Sequence, residues 1–339
     1  MLPPRNRQAD ALVISLSFTP KKMVPVLAIS MVPRRSPWGG SSPFVSQLLS
    51  FLPKRGWRVT FDLRRRPDAV LVIDPRSDHP AKRFGLKELI PFRQKYPEIP
   101  IIHRINECDE RKDTKDIDEL LRRTNALCDY TVFISEWLRD YFIARWFDPA
   151  RPNSVIYNGA DPGVYHPFGH RREASSGPIR IVTHHWSHHP RKGFAEYCEL
   201  DDLIATGKLR NCTFRILGRW PSNIIWKSAE TIPPLTGHSL AAKLRESHLY
   251  FTASRSEPGG MHHVEGAQCG LPLIYHEEGG GIVEAGKKYG LGFRTNLKET
   301  VVQAIERISE LRSKVLASPP SGDRMVIDYA SILRQLVLR

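Results

Sequence analysis

Residues 254–286, SRSEPGGMHHVEGAQCGLPLIYHEEGGGIVEAG, hold the densest set of residue types able to do chemistry. Pro258, Gly259 and Gly260 follow a strand-like LYFTA and open a stretch with helical spacing. A helix N-terminus presents unpaired N–H groups and partial positive charge, and glycine lets an anion approach the backbone closely. The pattern predicts a phosphate seat, with Pro258 near the first helical turn. Glu257 would precede the helix and Glu265 would lie about two turns on, ~12 Å away along an ideal helical rise. Such carboxylates cannot form a close acid/base pair but can hold two parts of one extended ligand.

A second segment, HHWSHHPRKGF at 184–194, gathers His184, His185, His188, His189, Arg191 and Lys192. Imidazoles invite a metal reading. No Cys or carboxylate lies among these histidines, however, and a cationic loop facing phosphates accounts for them, so no metal is expected. His262 and His263 adjoin the phosphate seat, where each either faces ligand or packs in the core. Taken singly, these residues are ambiguous: an acid near a helix start also complements the helix dipole, and a Lys-Gly pair also ends turns.

The elements that must position these groups alternate throughout. Strand-like runs at 26–30, 57–61, 69–73, 99–105, 130–134 and 153–157 interleave with helical patterns at 42–54, 116–126 and 136–146. A Gly/Pro/Asp/Ser-rich linker at 158–178 separates these from a second series of strands at 179–183, 212–217, 249–253 and 272–276. Helices are expected at 193–205, 240–247, 260–269, 298–316 and 324–336. Such βα alternation predicts an α/β chain with two Rossmann-like, doubly wound domains facing across a cleft. Ligands of open parallel sheets sit beyond the carboxyl ends of strands, hence between the two domains. The charged stretch Asn106–Asp118 interrupts the pattern and reads as a mobile loop or a solvated connection.

In the E-x7-E spacing of Glu257 and Glu265, followed by GAQCGLPLI, the chain resembles retaining glycosyltransferases of the two-domain B fold (GT-B), specifically glycosyltransferase family 4 (group 1). YNGAD at 157–161, RKGF at 191–194 and WGGSSPFVSQLLSFLPKRGWRVT at 38–60 extend the resemblance over roughly residues 25–315, the C-terminal half being the more specific. It implies sugar transfer from a nucleotide diphosphate sugar, with no metal or other cofactor required. Glu257 would contact donor sugar hydroxyls and Glu265 the ribose. Backbone amides around Gly259, Gly260, Met261 and His262 would hold the distal phosphate, with Lys192 as the donor-phosphate lysine and Gly40 where the first loop approaches both substrates. One departure stands out: Ser187 occupies the place of the family's usual arginine, leaving Arg191, His188 or Arg219 to compensate. On the acceptor side His103, Arg104, Asn106 and Glu107 compete, Asn106 and Glu107 being favoured because they fall beyond the strand.

Composition sets the outer bounds. A chain of 339 residues, 41% hydrophobic, suits two cores of roughly 150 residues each. No stretch reaches the ~18 apolar residues that span a bilayer. Five scattered cysteines without CxxC pairing give neither a disulfide framework nor a zinc site, and fit a cytoplasmic setting. The formal charge of +14 is concentrated in residues 1–158, with 27 Lys/Arg against 18 Asp/Glu. It suits an anionic membrane face or a phosphorylated partner. Dispersed basic residues without a binding module argue against nucleic acid, and the lack of G-x-G-x-x-G after the first strand argues against a nicotinamide dehydrogenase. The expected organisation is a disordered leader over 1–22 with Met23 as an alternative start, an acceptor-side domain 23–158 and a nucleotide-sugar-binding domain 159–320. A C-terminal helix over 321–339 is open to packing back on the first domain. Competing readings are a non-catalytic sugar-nucleotide or glycan-binding subunit and a B-fold epimerase or phosphorylase. Acceptors of glycan or lipid-linked type, as in polysaccharide biosynthesis, follow only from the resemblance.

Overall fold

The computed structural model describes residues 24–34, 40–76, 81–169 and 177–337; the expected leader, Trp38 and Gly39 lie outside them. The first domain runs β1 (Val26–Ile29), α1 (Ser41–Phe51), β2 (Arg58–Thr60), β3 (Ala69–Val72), α2 (Leu86–Lys95), β4 (Ile101–Ile105), α3 (Ile117–Asn125), β5 (Tyr130–Phe133), α4 (Glu136–Ile143) and β6 (Asn153–Val155). The second runs β7 (Ile179–His185), α5 (Phe194–Ala205), β8 (Cys212–Gly218), β9 (Glu230–Ile232), α6 (Gly237–Arg245), β10 (Leu249–Thr252), α7 (Met261–Gln268), β11 (Leu273–His276), α8 (Ile282–Tyr289), β12 (Gly290–Phe293), α9 (Leu297–Glu306) and α10 (Ile308–Ala317). A last helix, α11 (Gly322–Val337), follows.

Each domain is built on a six-stranded sheet, ordered β2-β1-β3-β4-β5-β6 and β12-β11-β10-β7-β8-β9. Every pairing is parallel. The central strands are apolar on both faces because helices cover both; β3, β4, β10 and β11 are buried along their whole length. Strand order reverses between β1 and β3 and again between β7 and β10, which opens a crevice at the carboxyl end of each sheet.

The expected alternation of strands and helices is present, with additions. Residues 86–95, 230–232 and 282–293 carry α2, β9, α8 and β12, none of which the residue pattern marks. The chain passes between domains twice, side by side: Ala160 N donates to Pro320 O (2.9 Å) and Gly322 N to Ala160 O (2.7 Å). Beyond that crossing α11 packs on α1, where Tyr329 meets Phe44 with ring centroids 4.9 Å apart. Met325, Val326, Ile332 and Leu333 join the same first-domain core as Leu27, Val45 and Leu71.

Candidate active site

A cavity of about 560 Å³ lies between the domains, walled by the strand ends of both crevices. From the first domain come Met31, Ile73, Asp74 and Arg76, and from the second His185, Ser187, Glu257 and Gly260. Gly40 caps the start of α1 and Gly260 the start of α7, and these two helix starts meet across the cleft. A methyl group on Gly40 would lie 2.9 Å from Met261 Cγ, so the bare backbone permits this approach.

Glu257 is engaged through both oxygens of its carboxylate. One carboxylate oxygen accepts from Lys192 Nζ at 2.6 Å, and the other is ion-paired with Arg111, whose Nη2 lies 3.0 Å away. Burial raises the carboxyl's affinity for its proton, but the two cations outweigh burial and hold it at about 2. Burial in turn lowers the Lys192 ammonium. The Glu257 backbone is clamped by the glycine run that follows β11: its N–H donates to Gly279 O (3.2 Å), and Gly281 N–H donates to its carbonyl (2.9 Å). Lys192 ends a short 3-10 turn over Pro190–Lys192, closed by Gly193 at φ 78°. At Gly193 a side chain would strike Ala253 O at 2.3 Å, so the turn can lie against the end of β10 only with glycine there.

Helix α7 starts at Met261 with Gly260 as its N-cap, so Pro258 and Glu257 belong to the loop ahead of it and not to its first turn. The ~12 Å helical-rise estimate for Glu257 and Glu265 therefore does not apply, although both line the cavity. Glu265 accepts from His184 Nε2 at 2.8 Å. Burial, then Glu265's charge and hydrogen bond, push the Tyr165 phenol up. His184 also meets the Tyr250 hydroxyl through Nδ1 (3.1 Å), and Tyr250 reaches His262 Nδ1 (3.3 Å). This chain explains His184 as a positioning group for Glu265.

A charged role does not hold for His185 or for His262. Burial, with Lys192 nearby, pushes His185 down to about 3, and His262 is lowered well below the usual imidazole range for the same reasons. Both are therefore neutral at pH 7. His188 lines the cavity, whereas His189 Nδ1 caps the Arg191 N–H. His263 is buried and lowered to about 4 by burial, against the pull of Glu257. Among the described residues no group of three His, Cys, Asp or Glu is arranged to hold a metal ion, and no helix is long and apolar enough to cross a membrane. Asp201 is occupied in capping the backbone of Lys227, Ser228 and Ala229.

Other candidates separate by position. Asn106 and Glu107 line the cavity, and Asn106 reaches Ser41 Oγ at 3.4 Å. His103 and Arg104 lie inside β4, away from it: His103 pairs with Asn125 (3.2 Å), and burial lowers it to about 3. Arg104 lies over the Phe44 ring (4.1 Å) and donates to Asn158 Oδ1 (2.8 Å). Asn158 Nδ2 in turn donates to Gly259 O at 2.7 Å, so Arg104 is linked through Asn158 to the loop ahead of α7. Arg191 turns out of the cavity to Asp113 and Ser256 Oγ. Arg219 lines it while donating to Trp186 O (3.2 Å).

The residue that the sequence reading missed is Arg111. It sits in the charged stretch 106–118, which is an internally capped loop: Asp109 accepts from Thr114 Oγ1 (2.6 Å) and the Ile117 and Asp118 amides, and Asp118 accepts from the Asp109 N–H (2.9 Å). From there Glu110 accepts from Ser256 Oγ (2.8 Å) and Asp113 pairs with Arg191, which ties the loop to the second domain. The spacing of Asp109, Thr114 and Asp118 could have signalled the ordered loop, but not the partner of Arg111.

No family model and no curated protein sequence matches the chain. Solved structures do. Anabaena HepE, solved with UDP, superposes with a TM-score of 0.66 at 14% identity, over 92% of this chain and 100% of that one. Sucrose-phosphate synthase from Thermosynechococcus elongatus gives 0.63 at 15% identity, over 93% and 99%. A glycosyltransferase from Rickettsia africae gives 0.59 at 13% identity, over 92% and 98%. The chain has the GT-B fold. At these identities the likeness speaks for architecture: two facing Rossmann-like domains of GT-B type with a cavity between them.

Proposed function

We propose that this GT-B chain is a retaining glycosyltransferase that moves a sugar from a nucleotide diphosphate sugar to a glycan or lipid-linked acceptor without a metal ion. The observation that carries the reading is the placement of Glu257, Lys192, Glu265 and the start of α7 around one interdomain cavity. HepE, which shares the fold, has been solved with UDP and glucose, which supports a nucleotide and a sugar as the ligand classes.

In this reading the distal phosphate rests on the amides at Gly260, Met261 and His262, with Lys192 alongside. Glu257 takes the donor sugar hydroxyls and Glu265 the ribose hydroxyls. As the bond from the anomeric carbon to the phosphate oxygen breaks, charge grows on the diphosphate, and fixed donors in a site shielded from water stabilise it. The acceptor oxygen bonds to the anomeric carbon on the same face and gives its proton to the departing phosphate. Asn106 and Glu107, beyond β4, are the acceptor-side groups.

Ser187 lines the cavity where an arginine would add charge, and this favours a second reading, a subunit that binds the sugar nucleotide without turning it over. Incubation with UDP-, GDP- and ADP-sugars in EDTA, followed by NMR of the product anomer, separates the two. Release of nucleoside diphosphate with a retained anomer supports transfer. Binding without release supports the second reading, and an inverted anomer or a requirement for added metal overturns the proposed mechanism.

A further inference from the structure

Two cations from different domains converge on Glu257. Lys192 comes from the turn after β7 and Arg111 from the loop after β4, and each holds a different oxygen of that carboxylate. Both line the same cavity as Gly260, Met261 and Glu265. Arg111 is oriented from behind by Glu107, whose Oε2 accepts from its Nη1 at 3.0 Å. A guanidinium carries five N–H donors, and these two contacts leave donors for a further anion.

We infer that Arg111 is the second cation for the donor diphosphate, delivered by the N-terminal domain to a seat otherwise built from the C-terminal one. The inference rests on the donor reading above. A departing diphosphate gains charge that a single lysine balances poorly, and a guanidinium matches phosphate oxygens in two-point geometry. The other cations on the cavity wall are less suited: Arg76 is held by Asp74 along the Nε edge of its guanidinium, Lys112 is held by Glu107, Arg34 is exposed, and Arg219 donates to the Trp186 carbonyl. Because Arg111 and Lys192 belong to opposite domains, both act on one ligand only when the domains are together. Apposition is then a condition for turnover and not only for shielding the site from water.

Titration calorimetry of the full chain with UDP, GDP and ADP and with the matching monophosphates tests this. Arg111→Ala should weaken the preferred diphosphate by ~10-fold or more while leaving the monophosphate within about twofold. Arg111→Lys, which keeps the charge, should retain part of the affinity, and Ser187→Arg should recover affinity in the Arg111→Ala background from the other wall. Equal weakening of mono- and diphosphate, or none, overturns the assignment of Arg111 but leaves the donor reading standing if Lys192→Ala still weakens the diphosphate. Failure of folded wild-type protein to bind any of the nucleotides overturns both.

Discussion

Lys192 Nζ and Glu257 Oε2 lie 2.6 Å apart, and both side chains are almost wholly buried. In the folded chain the Glu257 carboxyl titrates near 2, against 4.5 for an ordinary glutamate, so the unfolded chain takes up this proton first as pH falls. The stabilisation is complete above the ordinary value and is lost between about 4.5 and 2, an upper bound of roughly 3 kcal/mol. Glu257→Gln leaves buried Lys192 and half-buried Arg111 without their carboxylate, so its melting temperature at pH 7 should fall. Its further decline in acid should be shallower than that of wild type. Melting curves from pH 7 to 3 check both; parallel declines would count against a depressed Glu257.

His185 adds a second loss of stability in acid. Its ring stacks on Tyr197 (5.6 Å between centroids) and meets Phe194 edge-on. Since burial lowers it from 6.5 to about 3, the unfolded chain protonates first and stability is lost as pH falls through that window. His185→Phe keeps the ring contacts and removes the titration. It should match or exceed wild type in melting temperature at pH 7 and lose less between pH 6.5 and 4.5.

Gly193→Ala tests how the turn places Lys192. The positive φ and the clash with the Ala253 carbonyl leave an alanine no relaxed position, so the variant should lose more than ~1 kcal/mol by urea unfolding. It should also bind nucleoside diphosphate less tightly, although it removes no ligand-contacting side chain. Unchanged stability and affinity would contradict the geometry assigned to this turn.

Helix α11 belongs to the first domain's core although it follows the second domain in sequence. Truncation after Ser318 should uncover Phe44, Val45 and Leu48 and give aggregated protein, or protein with a much lower melting temperature. A truncated chain as soluble and stable as the full one would refute the packing role of α11.

Much of this was legible in the residues. Apolar runs such as AVLVI at 69–73 and LYFTA at 249–253 mark parallel strands because both their faces are covered. Glu257, Glu265, Lys192 and Met261 gather on one cavity because each follows a strand of the same sheet or opens the next helix. Elements with weak signals were lost: α2 carries Pro91 within it, β9 is three residues of ETI, and β12 begins with glycine. Position within an element also decided roles that residue type left open. Arg104 and His103 point into a buried sheet, and Arg191 faces Asp113 although its neighbour Lys192 faces the cavity. Arg111 escaped notice because its partner Glu257 is 146 residues away and in the other domain, and no local pattern encodes that contact.

The central claim, a donor site built on α7 and the Lys192 turn, is tested most directly by calorimetric titration with UDP, GDP and ADP in EDTA, comparing wild type with Lys192→Ala and Glu265→Ala. The account predicts selective binding of one nucleotide to wild type. Lys192→Ala should weaken the diphosphate by ~10-fold or more, and Glu265→Ala should weaken diphosphate and monophosphate alike, because it acts on the ribose. Equal affinity of all three proteins for every nucleotide would contradict it.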